Sequence, residues 1–517
     1  MLTPFRNEPF TDFSASVNVQ AMQAALSRVK EQLGQTYPLI IGGEAISTDD
    51  TSTSINPGRP QEVIGRFAKA TVDHADQAVE AAARAFESWR FVPPAERAGY
   101  LFKAAAVMRR RKFELCAWLT YEVSKSWAEA DADVAEAIDF CDYYGRQMLR
   151  LGGPQEVVDF PGESNELRYI PLGVGVVIPP WNFALAIMVG MTSAAIVAGN
   201  AVVLKPASAS PTIAAQFVKI MNEECGLPPG VLNFVPGPGG SMGDALVDHP
   251  KTRFIAFTGS KEVGLRIVER ASVRQPGQNW LKRTIMEMGG KDAVVVDETA
   301  DLDLAAEAIT LSAFGFQGQK CSAASRAIVV ESVYDEVLQK VIERARKLTV
   351  GDPVEQGTYM GAVIDKNAFT KIKEYIEIAK HEGRIVLGGE TGDGSEGYFI
   401  PPTIVADVPQ TGRLACEEIF GPVLAFIKAR DFDHAEEIFN GTEYGLTGGL
   451  ISRSRERIER AKQTFHVGNL YLNRKITGAL VGVQPFGGFN MSGTDSKAGG
   501  PDYLLLFTQA KSITERF

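Results

Sequence analysis

Five cysteines are scattered along the 517-residue chain, at 116, 141, 225, 321 and 416, and one of them stands in a setting that suits chemistry. Cys321 lies in Gly318-Gln319-Lys320-Cys321-Ser322-Ala323, where a predicted helix gives way to a glycine-bearing loop. A thiolate is an intrinsically strong nucleophile that can add to a carbonyl. The other four cysteines fit the ordinary fate of free thiols, which is burial without reactivity. Upstream, Glu287 opens Glu287-Met288-Gly289-Gly290-Lys291. A carboxylate there can act as general base toward water, an effect of roughly 10²–10⁴ in rate; a solvated strand end is the plainer alternative. Asn182, in Pro180-Trp181-Asn182-Phe183, can donate its side-chain amide to an oxyanion beside the Cys321 backbone N–H. Each such donor is worth about 10²–10³ in rate. The same asparagine can also cap the helix that follows.

Taken together with Glu418-Ile419-Phe420-Gly421-Pro422, these motifs resemble those of the NAD(P)-dependent aldehyde dehydrogenases, and the resemblance runs over nearly the whole chain. It implies that Cys321 adds to an aldehyde, that hydride leaves to a nicotinamide, and that Glu287 activates the water that releases a free acid. It also implies cofactor contacts from Ile178, Trp181, Lys205, Gly259, Ser260, Gly264, Glu418 and Phe420. Lys205 would meet the adenosine ribose, Ser260 the pyrophosphate and Glu418 the nicotinamide ribose, with Phe420 beside the ring. Phe257–Gly264 follows a predicted strand and opens a helix, so its N-terminus can face a phosphate. Ser208 departs from the glutamate common in NAD-preferring relatives. A serine does not repel a 2′-phosphate, so NAD is the expected cofactor, with NADP tolerated. No metal is expected.

A second resemblance narrows the substrate. The stretch Phe465-His466-Val467-Gly468-Asn469-Leu470-Tyr471, continuing through Gly478-Ala479 to Phe486-Gly487-Gly488, is similar to the substrate-anchoring region of the 1-pyrroline-5-carboxylate dehydrogenases within that family. By that likeness the N–H groups of Gly478 and Ala479 and the hydroxyl of Ser322 hold a carboxylate. Glu136 meets an ammonium, and Phe183 and Phe486 wall the aliphatic part. Backbone nests do bind anions without an arginine. Glu129, Asp133 and Glu136 recur at helical spacing, however, and such a stripe also reads as a solvated helix face. Succinate semialdehyde is the alternative substrate. A cysteine hydrolase and a non-catalytic protein are the alternatives from other classes.

The bulk properties exclude other readings. A net charge of −10 without a basic cluster leaves no nucleic-acid footprint. Few, unspaced cysteines suit neither zinc nor a disulfide framework, and the opening residues lack the apolar core of a secretory signal. A small-molecule substrate and a cytoplasmic location are therefore expected. Tyr169 to Leu204 carries no charge, which is long enough to suggest a membrane span, but prolines and glycines divide it. It reads as strand 172–178, helix 183–197 and strand 201–204, the all-apolar signature of a covered parallel sheet.

Strands alternate with helices from 172 to about 285 and again after Glu287, which predicts an α/β fold with two doubly wound parallel-sheet domains. By resemblance, residues 1–150 and 171–286 form a Rossmann-type NAD(P)-binding domain and 287–490 the catalytic domain. A β oligomerisation segment, 151–170 with 491–517, would make the chain a homo-oligomer, at least a dimer. Helices are expected at 74–90, 95–125 and 127–150, and a hairpin over 155–170 around Pro161-Gly162. The first 35 residues show no strong apolar period and should wrap the surface.

Overall fold

The computed structural model describes residues 3–517. Two seven-stranded sheets organise it. The first runs Arg283–Glu287, Thr252–Thr258, Val174–Ile178, Ala201–Leu204, Leu232–Phe234, Leu39–Ile41, Glu44–Ile46. Its first five strands are parallel, and the last two are antiparallel additions from the N-terminal region. From Val174–Ile178 the chain steps outward twice, then returns to the other side with Thr252–Thr258. That reversal opens a crevice at the carboxyl ends of these two strands, the place where open α/β sheets bind ligands. The second sheet runs Arg384–Leu387, Thr403–Ala406, Val423–Ala429, Ala324–Val330, Asp292–Val296, Thr447–Ile451, Asn469–Leu472, and only its first pairing is antiparallel.

The uncharged run forms the elements expected of it. Ala201–Leu204 is buried at every residue, as is nearly all of the helix Ala186–Val197 beside it. Helices on both faces leave such a strand no solvated side, so no alternation is needed. Among the described residues no helix is long and apolar enough to cross a membrane.

Three local expectations are corrected. The first 35 residues include a helix, Ser16–Lys30, which buries Met22, Ala25, Leu26 and Val29 in the core that also holds the helix Lys112–Val123. The long helix expected over 95–125 breaks at Arg111 into Pro94–Arg110 and Lys112–Val123, and the Arg111 guanidinium bonds Glu114 at 3.0 Å and Glu224 at 2.6 Å. The hairpin over 155–170 reduces to a turn and one bridge, Gln155 to Leu167. Its second arm, Glu163–Pro171, pairs along its length with the tail strand Thr508–Arg516.

Candidate active site

Glu287 closes the last strand of the first sheet and Asp292 opens the second, so only Met288-Gly289-Gly290-Lys291 joins them. The two glycines permit close approach. A Cβ on Gly289 would collide with the Glu418 carboxylate, and one on Gly290 would lie 2.6 Å from the Cys321 carbonyl oxygen. With hydrogen in those places, the Gly290 N–H donates to Glu418 Oε1 at 2.9 Å. Three motifs distant in sequence thus meet at one linker.

The Cys321 loop is held under backbone strain. After the helix Leu302–Phe314, Phe316, Gln317 and Gly318 take φ values of 47°, 57° and 66° in succession. Left-handed conformations at non-glycine residues cost about 1–3 kcal/mol each and persist only where contacts over-determine them. Here the Gln317 amide donates to the carbonyls of Ser124 at 3.2 Å and Ala362 at 2.9 Å, and Phe316 is wholly buried. Gln319 accepts the Ile364 N–H at 2.9 Å. Asn182 Nδ2 donates to the Gln319 carbonyl at 3.1 Å, which brings the asparagine to the loop that carries Cys321. It does not cap the helix that follows: that helix begins at Ala186, whose N–H is taken by Asp133 Oδ1 at 2.7 Å.

One cavity is lined by Cys321, Glu287 and all six residues expected at the substrate: Glu136, Phe183, Ser322, Gly478, Ala479 and Phe486. No protein acceptor takes the Gly478 or Ala479 N–H groups among the described residues, and Gly478 has φ +78°. Arg474 clasps the carbonyls of Lys475 at 3.0 Å and Thr477 at 3.1 Å while lying 4.7 Å over the Tyr471 ring. It fixes the loop but is not itself on the cavity wall.

Burial sets the ionisation of the three key groups. The Cys321 thiol is pushed well above its ordinary value by burial, then by the nearby carboxyls of Asp292, Glu287 and Glu418. Burial likewise raises Glu287 to about 7, against hydrogen bonds from Ser496 Oγ at 2.7 Å and the Gly488 N–H at 3.3 Å. Glu136 rises to about 8 through burial and then the charge of Asp133. No donor bonds its carboxyl among the described residues. A carboxyl with a value near neutrality can take a proton and return it.

The residues expected at the cofactor gather around the crevice of the first sheet. Ile178 ends its strand, and Trp181 packs edge-on against Phe420 with ring centroids 5.5 Å apart. Lys205 is 6% exposed and has no protein acceptor among the described residues; burial lowers its value. A nearly buried ammonium without a partner fits a ligand hydroxyl. Ser260 is exposed at the start of the helix Lys261–Ser272 and accepts the Val263 N–H at 3.4 Å, leaving the helix N-terminus accessible to a phosphate. Gly259 and Gly264 have no room for a side chain: a Cβ would meet Phe257 at 2.5 Å in the first case and Met288 in the second. Ser208 is exposed beyond the strand Ala201–Leu204. These features fit a dinucleotide.

Two parts of the site were missed from the sequence. Pro236-Gly237-Pro238-Gly239-Gly240 leads into Gly243, where a Cβ would lie 3.4 Å from Lys205 Cε. Four glycines within seven residues were the available signal. Residues 492–496, grouped with the oligomerisation segment, run beside Glu287 instead: Met288 N–H donates to the Ser492 carbonyl at 2.7 Å and Met286 N–H to Thr494 Oγ1 at 3.0 Å. Nothing local to that stretch signals a partner some 200 positions away.

The chain belongs to the aldehyde dehydrogenase family, whose model matches residues 45–513. Among individual proteins it is similar to the 1-pyrroline-5-carboxylate dehydrogenase of Geobacillus thermodenitrificans, 62% identical over the full length of both chains. The crystal structure of 1-pyrroline-5-carboxylate dehydrogenase from Thermus with bound NAD superposes with a TM-score of 0.98 at 54% identity, again covering both chains entirely. A proline utilization A protein of Bdellovibrio bacteriovorus matches 99% of this chain with 53% of its own, at a TM-score of 0.97 and 46% identity.

Proposed function

We propose that this chain oxidises L-glutamate γ-semialdehyde, the open form of 1-pyrroline-5-carboxylate, to L-glutamate with NAD. One observation carries the reading. A single cavity holds a thiol, a carboxyl near neutrality, a second unpartnered carboxyl and two free N–H groups on a left-handed turn.

Cys321 gives its thiol proton to water and its sulfur adds to the aldehyde carbon, forming a thiohemiacetal anion. Asn182 and the Cys321 N–H donate to the oxyanion. NAD, when bound, accepts the hydride that turns this adduct into a thioester. Glu287 then takes a proton from water as it attacks, and the carbon–sulfur bond breaks to release the acid and the thiol. Gly478, Ala479 and Ser322 hold the substrate carboxylate, Glu136 its ammonium, and Phe183 and Phe486 the methylene chain. Lys205, Ser260 and Glu418 hold the dinucleotide. Retention of the amino group distinguishes this substrate from succinate semialdehyde, and Glu136 is the residue that would sense it.

The same reading makes the protein a cytoplasmic homo-oligomer. Support comes from Val158, Phe160 and Phe517, which are 91%, 63% and 86% exposed on and beside the paired strands Glu163–Pro171 and Thr508–Arg516. The decisive measurement is NADH formation from 1-pyrroline-5-carboxylate beside succinate semialdehyde and acetaldehyde at matched concentrations. A clear preference for the first is expected. Equal or better use of succinate semialdehyde would overturn the substrate assignment.

A further inference from the structure

A three-residue loop joins the helices Lys112–Val123 and Trp127–Leu151, and none of its residues lines the cavity. Its centre, Lys125, is wholly buried. The ammonium pairs with Asp133 Oδ2 at 2.8 Å and lies 4.7 Å from the ring centroids of both Phe183 and Phe316. Phe183 is a wall of the cavity, and Phe316 begins the left-handed turn that leads to Cys321. The other oxygen of Asp133 accepts the Ala186 N–H, which anchors the start of the helix that follows Phe183. Ser124, at φ +57°, bonds the Gln317 amide through its carbonyl and the Ala362 N–H through its hydroxyl.

A buried ammonium with one carboxylate and two ring faces cannot exchange those partners for water. Cation–π attraction is strongest when desolvated in this way, and an unpaired buried charge is severely penalised. Displacing either ring leaves the ion pair with Asp133 but removes a desolvated cation–π contact that water cannot replace, so the positions of the two rings are tied together through the ammonium.

We propose that Lys125 is a positioning residue, which holds the substrate wall at Phe183 and the nucleophile loop at Phe316 in fixed relation. It touches neither substrate nor Cys321, and its assignment rests on the functional reading above. The competing account is that the Lys125–Asp133 pair merely stabilises the fold. In that case folded variants keep wild-type kinetics.

The test uses two variants of the full oligomeric enzyme. K125M/D133N removes both charges together, so neither is left unpaired, and F316L keeps the ion pair but removes one ring. For each we would measure KM and kcat with 1-pyrroline-5-carboxylate, kcat with acetaldehyde, and the rate of iodoacetamide alkylation at Cys321. KM should rise about 10-fold and the alkylation rate should change by at least about 3-fold in both variants, as expected when a reacting group is misplaced by a fraction of an ångström. Folded variants with wild-type KM and wild-type alkylation rate would overturn the proposal. Should K125M/D133N fail to fold, F316L alone decides by the same criteria. Should wild-type enzyme form no NADH from 1-pyrroline-5-carboxylate, the functional reading fails, and the alkylation rates still decide the role of Lys125.

Discussion

Glu287 sits in a conflict between burial, which favours its neutral form, and three hydrogen bonds that favour the anion. Burial wins, and the balance lands at about 7. A base acts when deprotonated, so release of acid from the enzyme should slow as pH falls below 7, visible as a burst of NADH followed by a pH-dependent steady rate. E287Q should keep the burst and lose about 10²–10⁴ in the steady rate; a full steady rate would refute the role. The same group has a stability signature. Its folded value exceeds the ordinary 4.5, so its contribution is intact below about pH 4.5 and is lost as pH rises through 7. E287Q should therefore gain in Tm over wild type, and by more at pH 8 than at pH 5. C321A should abolish turnover while NAD still binds, as titrated by fluorescence. At Ser208, glutamate in place of serine should lower kcat/KM for NADP about 10-fold relative to NAD, since one like charge a few ångströms from the 2′-phosphate, even facing solvent, is worth about that much. The candidate catalytic and binding residues could be gathered from the sequence because several separate motifs converge on one resemblance. Ser496, Gly488 and Lys125 were not, because each acts through a partner far away in the chain.

At the scale of elements, what could be read depended on where each element finds its partner. The buried strand Ala201–Leu204 was legible to the residue because an uninterrupted apolar run between breakers allows little else. The helix Ser16–Lys30 was not, although Met22, Ala25, Leu26 and Val29 fall at helical spacing. Four small or flexible apolar residues in a polar stretch make a faint signal. The pairing of Glu163–Pro171 was missed for a different reason: its complement lies at 508–516, and no local pattern encodes a partner at that distance. The linker between the sheets is the element most sensitive to substitution. G290A would set a Cβ 2.6 Å from the Cys321 carbonyl and 2.7 Å from the Asp292 carboxylate. We expect a folded protein, by circular dichroism, with kcat lowered about 10²-fold, the usual cost of misplacing a reacting group by about 1 Å. Unchanged kcat would show that the loop has slack.

Across the whole molecule, the last strand, Thr508–Arg516, is exposed at most of its residues and pairs on one side with Glu163–Pro171. A two-stranded ribbon is marginal in water by itself. On the proposal that this ribbon carries assembly, deleting 508–517 should strip it and leave monomers on size-exclusion chromatography. Retained assembly would move the interface elsewhere.

The bonds from Ser492, Thr494 and Ser496 to the 286–288 stretch also have a consequence for how the enzyme comes into being. Glu287 is synthesised some 200 residues before the groups that hold it. At typical elongation rates, roughly 5–20 residues per second, a nascent chain carries its nucleophile for many seconds before its base is seated. A chain stopped between Cys321 and Ser492 would thus carry the thiol without a seated base. The base is seated only once the 492–496 stretch has been made, so we expect a chain stopped before it to form the thioester and hold it.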